Sequence, residues 1–72
     1  MVRVTFKLTE VGRIELDLPT PLLFEEVLQH CVARTGYIPG GYIAVRKGGV
    51  VSLGDMVEEG DEIDIFPALS GG

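Results

Sequence analysis

The last two residues of the sequence, Gly71 and Gly72, offer chemistry that needs no side chain. Glycine packs nothing and loses the most conformational entropy when it is ordered, so a glycine pair contributes little to a fold. Without a Cβ, however, such a pair can extend through a narrow channel and leave a terminal carboxylate unhindered. The alternative is a passive tail, which is the ordinary meaning of terminal glycines. The residues before the pair decide between the two.

Six acidic residues crowd the segment before this terminus, and no Lys or Arg follows Lys47. They are Asp55, Glu58, Glu59, Asp61, Glu62 and Asp64. This charge would repel a phosphate backbone, so we expect no binding to nucleic acid. A basic partner surface would be steered toward the segment, and we expect Glu58, Glu59 and Glu62 to contribute to such binding. The alternative is a solvated acidic face that keeps the protein soluble.

The composition indicates one small domain without a catalytic site of its own. The sequence has 72 residues, of which 46% are apolar, and a net charge of −5. One cysteine cannot form an internal disulfide, and no signal peptide or membrane-length apolar run is present, so we expect a cytoplasmic protein with no membrane association. Cys31 and His30 are too few for a zinc or iron–sulfur site. No phosphate-binding loop or nucleophile–base pair is present either, so we expect no bound cofactor or metal.

Two amphipathic strands are predicted near the start of the sequence. Apolar residues alternate with polar ones in two runs: Val2, Val4, Phe6 and Leu8, then Ile14, Leu16 and Leu18. Gly12 lies between the runs and favours a hairpin. We expect Phe6 to lie opposite Leu16. That register also places Lys7 opposite Glu15, an opposite-charge pair on the exposed face.

A single helix is predicted after this hairpin. Thr20 can cap its N-terminus, and Pro21 suits the first helical position. Gly36 suits its C-terminal end. The spacing i, i+3, i+4, i+7 defines one apolar stripe, which consists of Phe24, Val27, Leu28 and Cys31. The predicted place of Cys31 is therefore the core, and His30 is expected on the surface.

The second half of the sequence predicts three more strands. The first covers residues 42–47, with Ile43 and Val45 facing the core. Gly48 and Gly49 suit a two-residue hairpin turn, after which Val50 and Val51 begin a short return strand. The segment that contains Leu53, Met56 and Val57 is predicted to be irregular. The last strand covers residues 62–66, with Ile63 and Ile65 on one face.

This order of elements, ββαβββ, predicts an α+β fold in which one main helix covers one face of a mixed sheet of four to five strands. The first and last strands are the most apolar, which suits central positions. Since the chain crosses over through the helix, these two strands can run parallel. The arrangement is the β-grasp fold. We assign residues 1–67 to this domain and residues 68–72 to a C-terminal tail.

The last thirteen residues resemble the C-terminus of the MoaD/ThiS family of ubiquitin-like sulfur carriers. The shared pattern is a Gly-Asp-Glu turn, a hydrophobic strand, a tail with a proline and a final Gly-Gly, here GDEIDIFPALSGG over residues 60–72. The order of elements extends the resemblance to nearly the whole chain. It implies that a ubiquitin-activating-type enzyme adenylates the terminal carboxylate with ATP. Sulfur from a persulfide donor then gives a thiocarboxylate.

The resemblance also assigns roles by position along the tail. Gly72 would carry the adenylate and then the sulfur. The preceding residues of the tail, Gly71, Ser70 and Leu69, would thread the active site of the partner.

Pro67 would limit the conformations of the arm and so reduce the entropy lost on docking. Phe66 is the expected docking residue if alternation turns it away from the core, where it would form an apolar patch beside Leu69. A β-bulge that turns Phe66 into the core is the alternative.

The resemblance leaves the pathway and two other functions open. Phe66-Pro67 and Ser70-Gly71-Gly72 are similar to MoaD, the small subunit of molybdopterin synthase, whereas the compact middle is similar to ThiS, the carrier for the thiazole of thiamine. The acceptor partner would be the large subunit of molybdopterin synthase or a thiazole synthase, respectively. A ubiquitin-like modifier of other proteins would use the same tail. A β-grasp interaction module with passive terminal glycines is the third reading.

Overall fold

Two sheets and one helix make up the computed structural model, which describes residues 1–38 and 40–68. The elements in chain order are β1 (Val2–Phe6), β2 (Gly12–Leu16), β3 (Leu22–Leu23), α1 (Phe24–Thr35), β4 (Tyr42–Arg46), β5 (Gly49–Val50), β6 (Met56–Val57) and β7 (Glu62–Pro67). The main sheet has the strand order β2-β1-β7-β4-β5, and β3 pairs with β6 in a small second sheet. The predicted order of elements is confirmed, with β3 and β6 as additions.

The first and last strands lie side by side near the middle of the main sheet and run parallel, as predicted. Val4 pairs with Ile63 and Phe6 with Ile65. Val4 and Ile63 are completely buried beneath α1, whose stripe Phe24, Val27, Leu28 and Cys31 is buried as well. One core therefore lies between the helix and one face of the sheet. In the described residues, no helix combines the length and the apolar character that crossing a bilayer would need.

The predicted register of the first hairpin was wrong by four residues. Phe6 pairs with Gly12, and Leu16 pairs with Val2. The strand β1 ends at Phe6 because the Thr9 hydroxyl donates to the Phe6 carbonyl at 3.0 Å and accepts from the Val11 N–H at 3.2 Å. These bonds close a wide loop where the alternation had suggested that the strand continues.

Two further consequences follow from the shorter strand. Leu8, predicted to face the core, lies outside the strand and is 82% exposed. Arg3 lies opposite Glu15, so an opposite-charge pair is kept on the outer face, with a different partner for Glu15.

The helix begins later than predicted. Thr20 does not cap it and Pro21 is not its first residue, because the chain first forms β3 against β6. The N-cap position falls on Leu23, whose side chain makes no capping bond. Backbone groups take over this role: the N–H of Phe24 donates to the Asp55 carbonyl at 2.8 Å. The end at Gly36 is as predicted, with a left-handed φ of 72°.

The inward face of β4 was also predicted incorrectly. Ala44 is buried, whereas Ile43 is 51% exposed. Antiparallel pairing with β7 determines which side chains of β4 point inward, since Ala44 lies opposite the buried Ile65 and Ile43 lies opposite Phe66. Val45 consequently lies on the outer face beside Ile43.

The turn after β4 is displaced by one residue from its predicted place. It consists of Lys47 and Gly48, with φ of 51° and 78°, not of Gly48 and Gly49. Arg46 pairs with Gly49 across it, so β4 ends before Lys47 and the return strand starts at Gly49. Two positive φ angles are what a tight hairpin turn of this kind requires.

Candidate partner interface

An apolar patch covers part of the outer face of the main sheet, opposite the helix. It consists of two cross-strand pairs, Ile43 with Phe66 and Val45 with Val50, which we call the sheet patch. Phe66 is 38% exposed and Val50 is 72% exposed. Of the two predicted positions of Phe66, the structure shows the outward one: the side chain points away from the core, and no bulge turns it inward. This exposed apolar patch is the candidate binding surface of the domain.

Sequence reasoning missed three members of this patch, Ile43, Val45 and Val50. The alternation along residues 42–47 predicts Ile43 and Val45 in the core. A signal was nevertheless present in the sequence. Once Ile63 and Ile65 are placed inward, Phe66 must point outward, and the residues that pair with it share its face.

The chain is held by hydrogen bonds up to the point where the tail begins. Pro67 is half-buried opposite Tyr42, and the N–H of Ala68 donates to the Gly41 carbonyl at 2.9 Å. A Cβ on Gly41 would lie 3.2 Å from the Ala68 Cβ, so a side chain there would crowd this contact. The predicted tail residues Leu69, Ser70, Gly71 and Gly72 lie outside the described residues.

The three glutamates that we predicted to bind a partner differ in their contacts. The carboxylate of Glu59 pairs with the N-terminal ammonium group and accepts from the Leu18 N–H at 3.3 Å. Glu62 lies 3.7 Å from Arg3 in an exposed ion pair. Glu58 is exposed, and its hydrogen bonds are made by its backbone: its N–H donates to the Asp61 carboxylate at 3.0 Å, and its carbonyl accepts from the Asp61 N–H at 3.1 Å. Glu59 therefore supports the fold, and its role in binding stays a prediction.

These acidic residues lie at the opposite end of β7 from the tail. Glu62 begins the strand and Pro67 ends it. Five steps along a strand correspond to roughly 16 Å. The structure therefore brings together Phe66, Pro67 and the start of the tail, but it does not bring the acidic residues to them.

Two relatives from fruit flies decide the family. The chain is 32% identical over 71 residues to the molybdopterin synthase sulfur carrier subunit of Drosophila sechellia, a match that covers 92% of this chain and 79% of that protein. The corresponding subunit of Drosophila simulans is 31% identical over the same length and coverage. The chain belongs to the family of molybdopterin synthase sulfur carrier subunits. No protein-family model matches it.

A solved structure supports the fold. SAMP1 from Haloferax volcanii matches with a TM-score of 0.73 at 19% sequence identity, covering 99% of this chain and 98% of that one. This likeness and the observed topology confirm the predicted β-grasp fold. As a sulfur carrier subunit, the chain is the component that is loaded, and it is not itself an enzyme.

Cys31 is buried in the core and presents no reactive thiol at the surface. Its side chain is only 1% exposed, and burial raises the pKa of the thiol from 9.0 to about 11, with a small opposing effect from Arg34. The thiol is therefore neutral at physiological pH and contributes as a small apolar group, as predicted. In the ranges 1–38 and 40–68, no three His, Cys, Asp or Glu side chains lie close enough to hold a metal ion.

The buried thiol predicts a pH dependence of stability. Between pH 9 and about 11 the unfolded state releases the Cys31 proton while the folded state keeps it, so the free energy of unfolding falls as pH rises. Urea unfolding of the wild type and of Cys31→Ala at pH 8 and pH 10 separates this contribution from other titrating groups. We expect a larger loss in the wild type. Equal losses in the two proteins would contradict the assignment.

The neighbouring glutamates provide a matched pair for a stability test. We expect Glu59→Ala to lower the free energy of unfolding by about 0.5–1.5 kcal/mol, because it removes an ion pair and a hydrogen bond to Leu18. Glu58→Ala removes the same charge without removing a side-chain hydrogen bond or ion pair among the described residues, and we expect a change within about 0.5 kcal/mol. Urea unfolding measures both. An equal effect of the two substitutions would mean that charge alone matters at Glu59.

Proposed function

We propose that this chain carries sulfur for a molybdopterin synthase, as a thiocarboxylate on Gly72. The observation that carries the proposal is the 32% identity to a protein named as the sulfur carrier subunit of that synthase. Both relatives bear this name, which favours the molybdopterin branch over the thiazole branch. The exposed sheet patch beside the start of the tail supports a carrier that docks on other proteins.

The proposed chemistry begins with activation of the Gly72 carboxylate. A carboxylate is a poor electrophile, since it is anionic and resonance-stabilised. A ubiquitin-activating-type partner would transfer AMP from ATP to one carboxylate oxygen and release pyrophosphate. The acyl adenylate then has a good leaving group, and covalent activation divides one difficult step into easier ones.

Sulfur would enter by attack of a persulfide on the acyl adenylate. The terminal sulfur of the donor persulfide forms a bond to the Gly72 carbonyl carbon, and AMP leaves with the electron pair. A thiol then attacks the sulfur–sulfur bond of the acyl disulfide and forms a new disulfide with the donor sulfur. The thiocarboxylate remains on the carrier. The attacking thiol and the donor sulfur are oxidised to a disulfide, and their two electrons reduce the transferred sulfur.

The residues of this chain would bind the partner proteins and extend the terminus into their active sites. The sheet patch would bind the adenylating enzyme and then the large synthase subunit, with Phe66 as its aromatic anchor. Pro67 fixes the direction in which the chain leaves β7. Gly71, Ser70 and Leu69 would thread the active site, where glycine permits close approach. ATP is a substrate of the partner, and the proposal requires no cofactor on this chain.

The proposed loading needs a thiol that releases the thiocarboxylate from the acyl disulfide, and a reducing cytoplasm supplies such thiols. The single cysteine of the sequence is buried, so the carrier offers no exposed thiol in its described part to compete with the donor. We therefore place the loading reaction in the cytoplasm.

Intact-mass measurement tests the proposed loading. We expect that incubation with the adenylating enzyme, ATP and a persulfide donor adds the mass difference between one sulfur and one oxygen. The change requires both ATP and Gly72, because activation takes place on that carboxylate. Removal of Gly72 from the chain is the matched control and should abolish the shift. An unmodified wild-type mass after incubation with several authentic partner enzymes would contradict the proposal.

Binding measurements test the role of the sheet patch separately from the chemistry. We expect Phe66→Ser combined with Ile43→Ser to weaken binding to the adenylating enzyme by about tenfold or more, since both side chains would be buried in the complex. Leu53→Ser is the control, because Leu53 is 48% exposed on the helix side of the molecule. Calorimetry gives both affinities. Equal affinity of the patch variant and the wild type would remove the patch from the interface.

A further inference from the structure

The two most exposed large apolar side chains of the described residues lie outside the sheet patch. Leu8 is 82% exposed and Ile38 is 76% exposed. Single exposed apolar residues are common on protein surfaces and need no explanation. These two are different because the fold places both of them at the same end of the molecule, where the tail begins.

Leu8 reaches this end through β1. Phe6 pairs with Ile65 in β7, and the N–H of Lys7 donates to the Ile65 carbonyl at 2.8 Å. Leu8 is the next residue, so its backbone lies beside the last residues of β7. This position is on the β1 side of β7.

Ile38 reaches the same end through the loop that follows α1. It follows Tyr37, whose ring meets the ring of Phe6 edge to face at a centroid distance of 5.6 Å. It precedes Gly41, whose carbonyl accepts the hydrogen bond from Ala68. Leu8 and Ile38 therefore both lie near the end of the sheet at which β7 stops, Leu8 through its neighbour Lys7 and Ile38 through its neighbour Tyr37.

The exposure of Leu8 is built into the hairpin. Its φ is +60°, a conformation that a leucine rarely adopts. The loop is nevertheless fixed by the two hydrogen bonds of the Thr9 hydroxyl. A strained backbone that holds an apolar side chain in water brings no benefit to folding, and such strain is typically retained where it serves a function.

The short tail determines which partner can cover these residues. Residues 69–72 extend at most about 14 Å beyond Ala68. Any protein that reacts with the Gly72 carboxylate must therefore bring its active site within that distance, and its surface must close over the flanks of the tail.

We propose that Leu8 and Ile38 form an apolar collar that packs against the entrance of the channel through which the adenylating enzyme receives the tail. This inference rests on the proposed function and names a contact beyond the sheet patch. The entrance would be lined by apolar side chains. The collar would stabilise the complex with the enzyme equally in the ground state and in the transition state. It would not touch the reacting atoms.

Steady-state kinetics of thiocarboxylate formation, followed by intact mass, test the collar. The variant is Leu8→Asn with Ile38→Thr, because asparagine tolerates a left-handed backbone and threonine keeps the β-branch. We expect KM for the carrier to rise about tenfold with kcat unchanged. This result follows because the variant loses contacts that stabilise the ground state and the transition state equally. Urea unfolding should show a midpoint no lower than that of the wild type, since both residues are exposed.

Met56→Thr is the control variant. Met56 is 50% exposed and pairs with Leu23, directly before the first residue of α1. The helix separates it from Tyr37 by about 18 Å. We expect its KM to stay within about twofold of the wild-type value, because Met56 is an exposed apolar side chain that lies far from the collar.

The outcomes separate the collar from the proposed function. Conversion of the wild type with a raised KM in the collar variant supports the inference. Conversion with an unchanged KM overturns the collar and leaves the carrier function intact. No conversion of the wild type by authentic partner enzymes overturns the proposed function, and the collar is then overturned with it.

Discussion

The parallel pairing of β1 with β7 is the constraint on which the rest of the molecule depends. It places the last strand between β1 and β4, so that β7 is hydrogen-bonded on both sides. Its inward side chains, Ile63 and Ile65, are buried against the helix. The end of β7 is thereby fixed to the rigid centre of the domain. The tail therefore starts from a defined surface, which a loosely attached strand would not provide.

The same pairing explains why the two faces of the sheet differ in role. The inner face takes the small Ala44 opposite Ile65, while the outer face takes Ile43 opposite Phe66. A domain of 72 residues has little core to spare, and it nevertheless leaves these apolar side chains in contact with water. A partner that covers the outer face would bury these side chains, and this burial would favour binding. The acidic residues, in contrast, lie near the start of β7, and Glu59 is engaged with the N-terminus.

Much of the fold could be predicted from the sequence because the strongest patterns are local. The alternation of β1 and β7 and the helical stripe from Phe24 to Cys31 each identify an element and its buried face. Two of the errors arose where a non-local contact decides the structure. Pairing with β7 determines which side chains of β4 point inward. The start of α1 is determined by the pairing of β3 with β6 and by the carbonyl of Asp55. The register of the first hairpin depends on the Thr9 hydroxyl, which hydropathy does not show. For the same reason Phe66 was identified in advance, whereas its neighbours Ile43, Val45 and Val50 were not.

The central claim is that a folded body delivers its own terminus to other proteins. A comparison of the whole chain with a synthetic peptide of residues 67–72 tests it most directly, since the peptide has the same carboxylate without the docking surface. The measurement is sulfur incorporation by the adenylating enzyme, ATP and a persulfide donor at equal concentrations of chain and peptide. The account predicts conversion of the whole chain and no detectable conversion of the peptide. Equal conversion of the two would show that the enzyme reads the tail alone, and it would contradict the account.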